Sequence, residues 1–160
     1  MIRVLFVCLG NICRSPTAEG VFRDLVRREG LAERIGTDSC GTSDWHIGDP
    51  PDRRACAEAE RRGISIADLS ARQVCQSDFT DFDYVLGMDD SNIAKLKVLC
   101  PTLHQNRVRL FLSFAPELGR PDVPDPYYGG DDGFAQVFDM IEAASRGLLA
   151  DIRENHLNDA

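Results

Sequence analysis

Cys8 and Arg14 are separated by five residues in the segment Cys8-Leu9-Gly10-Asn11-Ile12-Cys13-Arg14-Ser15-Pro16. An ionised cysteine is a nucleophile, and a guanidinium grips two oxygens of a tetrahedral anion with matched geometry. The apolar run Ile2 to Val7 precedes them as a strand candidate, and a helix pattern follows from Pro16. A strand-to-helix loop turns backbone N–H groups inward, and the helix adds its unsatisfied donors and the positive end of its dipole. The segment Leu9, Gly10, Asn11, Ile12, Cys13, Arg14 and Ser15 is therefore expected to cradle a phosphate-like anion above Cys8. An arginine beside a helix N-terminus is repelled by the dipole unless a bound oxyanion removes the conflict. Gly10 and Asn11 tolerate the positive φ that such a loop requires. Ser15 is a good N-cap and Pro16 suits the first helical position; from the cap, the Ser15 hydroxyl can instead turn toward Cys8. No Gly-Lys-Ser/Thr follows, so nothing asks for Mg²⁺ or a nucleoside triphosphate.

A second group of residues lies far along the chain. Asp125 sits between Pro124 and Pro126, which restrict the backbone and give the carboxyl a direction suited to a general acid. Asp122, also after a proline, is its rival. Trp45, Tyr127 and Tyr128 are aromatic residues in predicted loops, able either to cover a core edge or to wall a slot that stacks a phenyl ring. Cys13 reads equally as a small core side chain and as a thiol able to trap oxidised Cys8 as a disulfide.

The loop resembles the signature of the low-molecular-weight protein tyrosine phosphatases. Further landmarks are Gly41-Thr42-Ser43, Ile47 to Asp52, Ala71-Arg72-Gln73, Phe82-Asp83-Tyr84, Met88 to Asn92, and Asp125-Pro126-Tyr127-Tyr128. The resemblance implies a three-layer, doubly wound α/β fold with a four-stranded parallel sheet flanked by helices. It implies hydrolysis of phosphotyrosine through a phosphocysteine, with Cys8 as nucleophile, Arg14 on the phosphoryl oxygens and Asp125, rather than Asp122, as general acid and base. It further implies slot walls at Trp45, Tyr127 and Tyr128, a protective disulfide role for Cys13, and chemistry without metal or other cofactor. Tyrosine-phosphorylated proteins are the implied substrates, and phosphate, sulfate and vanadate the implied ligands of a monomer or weak homodimer. Related arsenate reductases need two further cysteines close together, whereas Cys75 and Cys100 are far apart in sequence. Related phosphoarginine phosphatases carry threonine where Ile12 stands. A silent phosphotyrosine-binding module would be expected to lack Cys8 or Asp125. One departure is visible: many relatives place a histidine shortly before Ala-Arg-Gln to support the loop asparagine, and here Leu69-Ser70 stand there, so Asn11 needs another partner.

The elements that must position these groups read as one domain of 160 residues, 43% hydrophobic and 28% charged. No apolar run approaches a membrane span, and a net charge of −8 argues against nucleic acid as a general partner. Six cysteines without Cys-x-x-Cys spacing suggest free thiols and a cytoplasmic protein. Strands are expected at Ile2–Val7, Arg34–Cys40, Tyr84–Met88 and Val108–Phe114. Helices are expected from Pro16 to near Gly30, over Asp52–Arg62, from Ser91 to Pro101, and along the stripe Phe134 to Ile152. Alternating strands and helices imply a parallel sheet, whose carboxyl ends carry the ligand site.

Overall fold

The chain runs β1 (Ile2–Cys8), α1 (Arg14–Arg28), β2 (Ile35–Gly41), α2 (Arg53–Arg61), α3 (Asp78–Asp81), β3 (Tyr84–Gly87), α4 (Asp90–Leu99), β4 (Val108–Leu110) and α5 (Asp131–His156). These elements come from a computed structural model that describes residues 1–127, 129 and 131–157. The four strands are all parallel, in the order β2-β1-β3-β4. The chain goes from β1 to one side and then returns to the other, so the topological switch point falls at β1, with the Cys8 loop at its carboxyl end.

β1 is nearly continuously apolar because it is covered on both faces. Val4, Phe6 and Cys8 point into a cluster built with Phe22 of α1, Ala55 and Ala59 of α2, and Val137, Ile141 and Leu148 of α5. Leu5 and Val7 point the other way, into a cluster with Phe79 of α3 and Leu96 of α4. Helices on both sides of the sheet complete the three layers. Close approaches hold the first layer together. A Cβ on Gly147 would lie 1.8 Å from the Phe114 carbonyl oxygen, and one on Gly20 would lie 2.3 Å from the Ile66 side chain.

Two expectations are corrected. The fourth strand stops at Leu110, and Phe111–Phe114 form a 3₁₀ turn. β3 is only four residues long and offers no partner beyond the Gly87–Leu110 pair. Freed from the ladder, Phe111 stacks edge-on against Phe6, at 5.2 Å between ring centroids. The first helix begins at Arg14 with Cys13 as its cap, so Ser15 is not the N-cap and Pro16 is the third helical residue. The Cys13 carbonyl accepts from the Thr17 hydroxyl at 2.7 Å, while the Ser15 hydroxyl is drawn to the sulfur of Cys8. α2 and α4 start as aspartate-capped helices, on Asp52 and on Asp89, the latter in a reciprocal cap with Asn92.

Candidate active site

The turn after β1 is held open from outside. The carbonyls of Cys8, Leu9 and Ile12 accept from the backbone N–H groups of Thr42, Ser43 and Asp52 at 2.9, 3.0 and 2.7 Å. With no cis peptide among the described residues, each outward carbonyl leaves the next residue's N–H facing the opposite way. The N–H groups of Leu9, Gly10 and Cys13 thus turn away from the β2 loop, toward the concave side. Gly41 permits this docking, since a Cβ there would lie 2.7 Å from the Leu9 carbonyl oxygen. Asn11 alone among the non-glycine described residues has positive φ, at 57°. Gly10 does not; its lack of a side chain makes room for His46, whose Cδ2 would be 3.0 Å from a Cβ.

Cys8 lies at the base of this turn, 2% exposed. Its sulfur accepts from the Asn11 N–H at 3.2 Å and lies 3.0 Å from the Ser15 hydroxyl. The amide of Asn11, which has no histidine partner here, donates to Ser15 Oγ at 2.8 Å and to Ser39 Oγ at 3.0 Å. Its Oδ1 accepts from the Arg72 N–H at 3.0 Å. Arg72 is itself clamped by two hydrogen bonds each to Asp38 and Asp78.

Arg14 is equally buried and anchored through Nη1. Its Nη1 donates to Asp89 Oδ2 at 2.7 Å and to the Val123 carbonyl at 3.1 Å, and its Nη2 is 3.6 Å from Asp125 Oδ2. Burial alone would lower this guanidinium; the Cys8 sulfur, the Asp89 hydrogen bond and Asp125 outweigh it and push it above its ordinary value. It therefore stays charged.

Asp125 reaches this arginine from an irregular segment. Its Oδ1 accepts from the Tyr127 N–H at 3.0 Å, a local turn that leaves Oδ2 pointing at Arg14. Asp122 is used elsewhere, accepting from the Asp90 N–H at the start of α4. Cys8, Leu9, Gly10, Ile12, Cys13, Arg14, Trp45, His46, Asp125 and Tyr127 together line a cavity of about 120 Å³. Trp45 forms its rim rather than a buried wall, being 70% exposed. Tyr127 is tied by its carbonyl to Arg54, whose guanidinium lies 5.5 Å from the tyrosine ring centroid. Tyr128 lies outside the described residues. Cys13 shares the cavity; burial, then the Asp52, Cys8 and Asp125 charges, push its thiol well above the ordinary range.

Several residues here were not expected from the sequence. Asp89 reads as a helix cap, and it is one, but it also neutralises Arg14. Its position at the carboxyl end of β3, beside the switch point, was the available signal. Ser39, Glu19 and His46 carry no local signature, and Arg72, though within the landmark Ala71-Arg72-Gln73, gave no sign of its backbone contact with Asn11.

Fold and loop define a class: a parallel α/β sheet with a buried cysteine and a buried arginine in the turn at its switch point. A model of the low molecular weight phosphotyrosine protein phosphatase family matches residues 3–158. The chain is 44% identical over 154 residues to the low molecular weight protein-tyrosine-phosphatase YfkJ of Bacillus subtilis, covering 96% of this chain and 97% of the relative. It is 41% identical over 152 residues to the human low molecular weight phosphotyrosine protein phosphatase, covering 91% and 92%. A crystal structure of a protein tyrosine phosphatase from Entamoeba histolytica superposes with a TM-score of 0.93 at 38% identity, covering 96% of this chain and 98% of that one. The chain belongs to the low molecular weight phosphotyrosine protein phosphatase family.

Proposed function

We propose that this protein hydrolyses phosphotyrosine in proteins by two displacements at Cys8. The observation that carries the reading is the placement of Cys8, Arg14 and Asp125 around one small cavity, with Asp125 held 3.6 Å from Arg14. In the first step the Cys8 thiolate attacks phosphorus in line, the P–O bond to the tyrosyl oxygen breaks, and Asp125 supplies the proton that oxygen takes. The loose transition state spreads charge over three equatorial oxygens, for which the turned-in loop amides and Arg14 are the partners. In the second step Asp125 takes a proton from water, the water oxygen bonds to phosphorus, and the P–S bond breaks to release phosphate and Cys8.

A cavity of this size is comparable to the ~150 Å³ that holds a benzene ring. Trp45 and Tyr127 at its mouth would stack the phenyl group, and the family resemblance gives Tyr128 the same task. A phosphoserine has too short a side chain to bring its phosphorus down to the sulfur. Inorganic phosphate, sulfate and vanadate should occupy the same cradle. The six thiols, none paired in a disulfide, fit the cytoplasm. The test is hydrolysis of phosphotyrosine, phosphoserine and phosphoarginine peptides in metal-depleted buffer, with arsenate reduction alongside. Turnover confined to phosphotyrosine supports the reading; faster phosphoarginine cleavage or arsenate reduction overturns it.

Cys13 adds a protective step. Peroxide oxidises Cys8 to a sulfenic acid; the Cys13 sulfur then displaces hydroxide from it, forming the disulfide and, with the Cys13 proton, water. A buried, raised thiol reacts slowly at rest, so this route operates only after oxidation of its neighbour. Mass spectrometry after mild peroxide should find a Cys8–Cys13 disulfide that reductant reverses. Irreversible oxidation of Cys8 with Cys13 still reduced would exclude it.

A further inference from the structure

Glu19 lies on the sheet-facing side of α1, 6% exposed, where an ionisable group costs stability unless it is used. Its Oε1 accepts from the Ser39 hydroxyl of β2 at 2.8 Å. The charges around it are Asp38 on β2, Arg23 on α1 and Asp68 after α2, and Arg23 spends its donors on Asp68 and the Ser65 carbonyl.

A hydroxyl has one proton to give. Ser39 gives its proton to Glu19, so its oxygen is left to accept from Asn11 Nδ2 at 3.0 Å. The second hydrogen of that amide goes to Ser15 Oγ at 2.8 Å. The amide cannot turn over, because Oδ1 is held by the Arg72 N–H. Ser15 Oγ accepts that hydrogen and keeps one proton of its own to donate. Its acceptors are the Cys8 sulfur at 3.0 Å and, farther off, the Cys40 carbonyl at 3.4 Å. The carboxylate thus sets the direction of the chain from Ser39 through Asn11 to Ser15, and toward an ionised Cys8 sulfur, which can only accept, Ser15 completes it as the donor.

We infer that Glu19 is a positioning residue: through Ser39, Asn11 and Ser15 its carboxylate directs a hydrogen bond onto the Cys8 sulfur. The inference rests on the reading of Cys8 as nucleophile. Without an acceptor at position 19 the Ser39 proton turns back on the Asn11 amide, two donors meet, and the Ser15 proton is released toward Cys40. A hydrogen bond to the charged form favours ionisation, so the relay makes the thiolate easier to form. A carboxylate acting merely as a nearby negative charge would do the opposite. The sign of the change therefore separates the two roles.

The experiment is the rate of Cys8 alkylation by iodoacetamide against pH, assigned by peptide mass spectrometry, in the full chain and in Glu19→Ala, Glu19→Gln and Ser39→Ala. Arg14, Asp89, Asp125 and Cys13 around the sulfur are unchanged throughout. Both alanine variants should raise the midpoint by about 0.5–1 pH unit, part of the one to two units that a whole charge-assisted bond represents. Glu19→Gln keeps an acceptor oxygen and should stay within ~0.3 unit of the parent. An unchanged or lowered midpoint in Glu19→Ala, or a glutamine variant that matches alanine, overturns the relay. If Glu19→Ala does not fold, Ser39→Ala decides alone in the same direction. Alkylation needs no turnover, so a parent protein that hydrolyses no phosphotyrosine would sink the phosphatase reading while leaving this measurement decisive.

Discussion

The loop from Cys8 to Ser15 and the segment from Asp122 to Tyr127 face each other across one cavity and are built in opposite ways. In the loop, Cys8, Asn11, Cys13, Arg14 and Ser15 are buried, and most are held by two or more hydrogen bonds. Across from it, Asp125 is held by one local bond, and its side chain remains 38% exposed. Trp45 on the same rim is more exposed still. On the proposed reaction the floor would serve a charge distribution that is the same for every phosphate monoester, and the rim, built of more exposed loop residues, would meet the variable part of the substrate. Positioning electrostatics needs rigidity, because dipoles that must reorient during reaction lose most of their benefit.

Substitutions should divide along that line. Cys8→Ser should abolish turnover while vanadate still binds, since the cradle survives; measurable turnover would remove the nucleophile from the floor. Asp125→Asn should lower kcat on phosphotyrosine by ~10²–10⁴ and far less on an aryl phosphate whose leaving group needs no proton. Equal losses on both substrates would make Asp125 a structural residue. Trp45→Ala should leave kcat nearly unchanged and raise KM for a phosphotyrosine peptide by roughly 3- to 10-fold, the equivalent of ~0.5–1.5 kcal/mol of ring stacking. A fall in kcat alone would place Trp45 in the machinery of the floor.

The smallest effect tests what the rigid floor costs. Burial raises the Glu19 carboxyl above its ordinary value, against the opposing Ser39 hydrogen bond and with Asp38 assisting. A carboxyl raised in the folded state binds more protons there than in the unfolded chain. Its contribution is intact below the unfolded value and declines as pH rises through the folded one. Glu19→Gln removes that decline, so its gain in urea midpoint over the parent should be larger at pH 7 than at pH 4.5. A gain that does not depend on pH would mean Glu19 carries no such penalty.

Much of the floor was legible in the chain because its parts are neighbours. Cys8, the turn residues and Arg14 sit within seven consecutive positions, and a strand pattern before them and a helix pattern after them fix where the turn must lie. The parallel α/β architecture was legible for a similar reason: alternating apolar runs and helical stripes report the burial of each element separately. Boundaries were read less well. The strand expected to reach Phe114 ends at Leu110, because the partner strand runs out, and a strand's length belongs to the pair. Ser15 lost its expected capping role to the sulfur of Cys8, a competitor seven residues away.

The sequence by itself determined which groups stand together in the floor and that Pro124 and Pro126 restrict the backbone at Asp125, since both follow from covalent geometry and short-range backbone preferences. Only the tertiary structure decided that Asp89 meets Arg14, that Ser39 and Arg72 take the place of a supporting histidine, and that Glu19 stands at the end of their chain. Those partners are 20 to 75 residues apart, and each is an ordinary serine, aspartate, glutamate or arginine until the sheet order brings it to the switch point. Hydrogen-bond direction is a property of the assembled chain of donors and acceptors, and no single residue type encodes it.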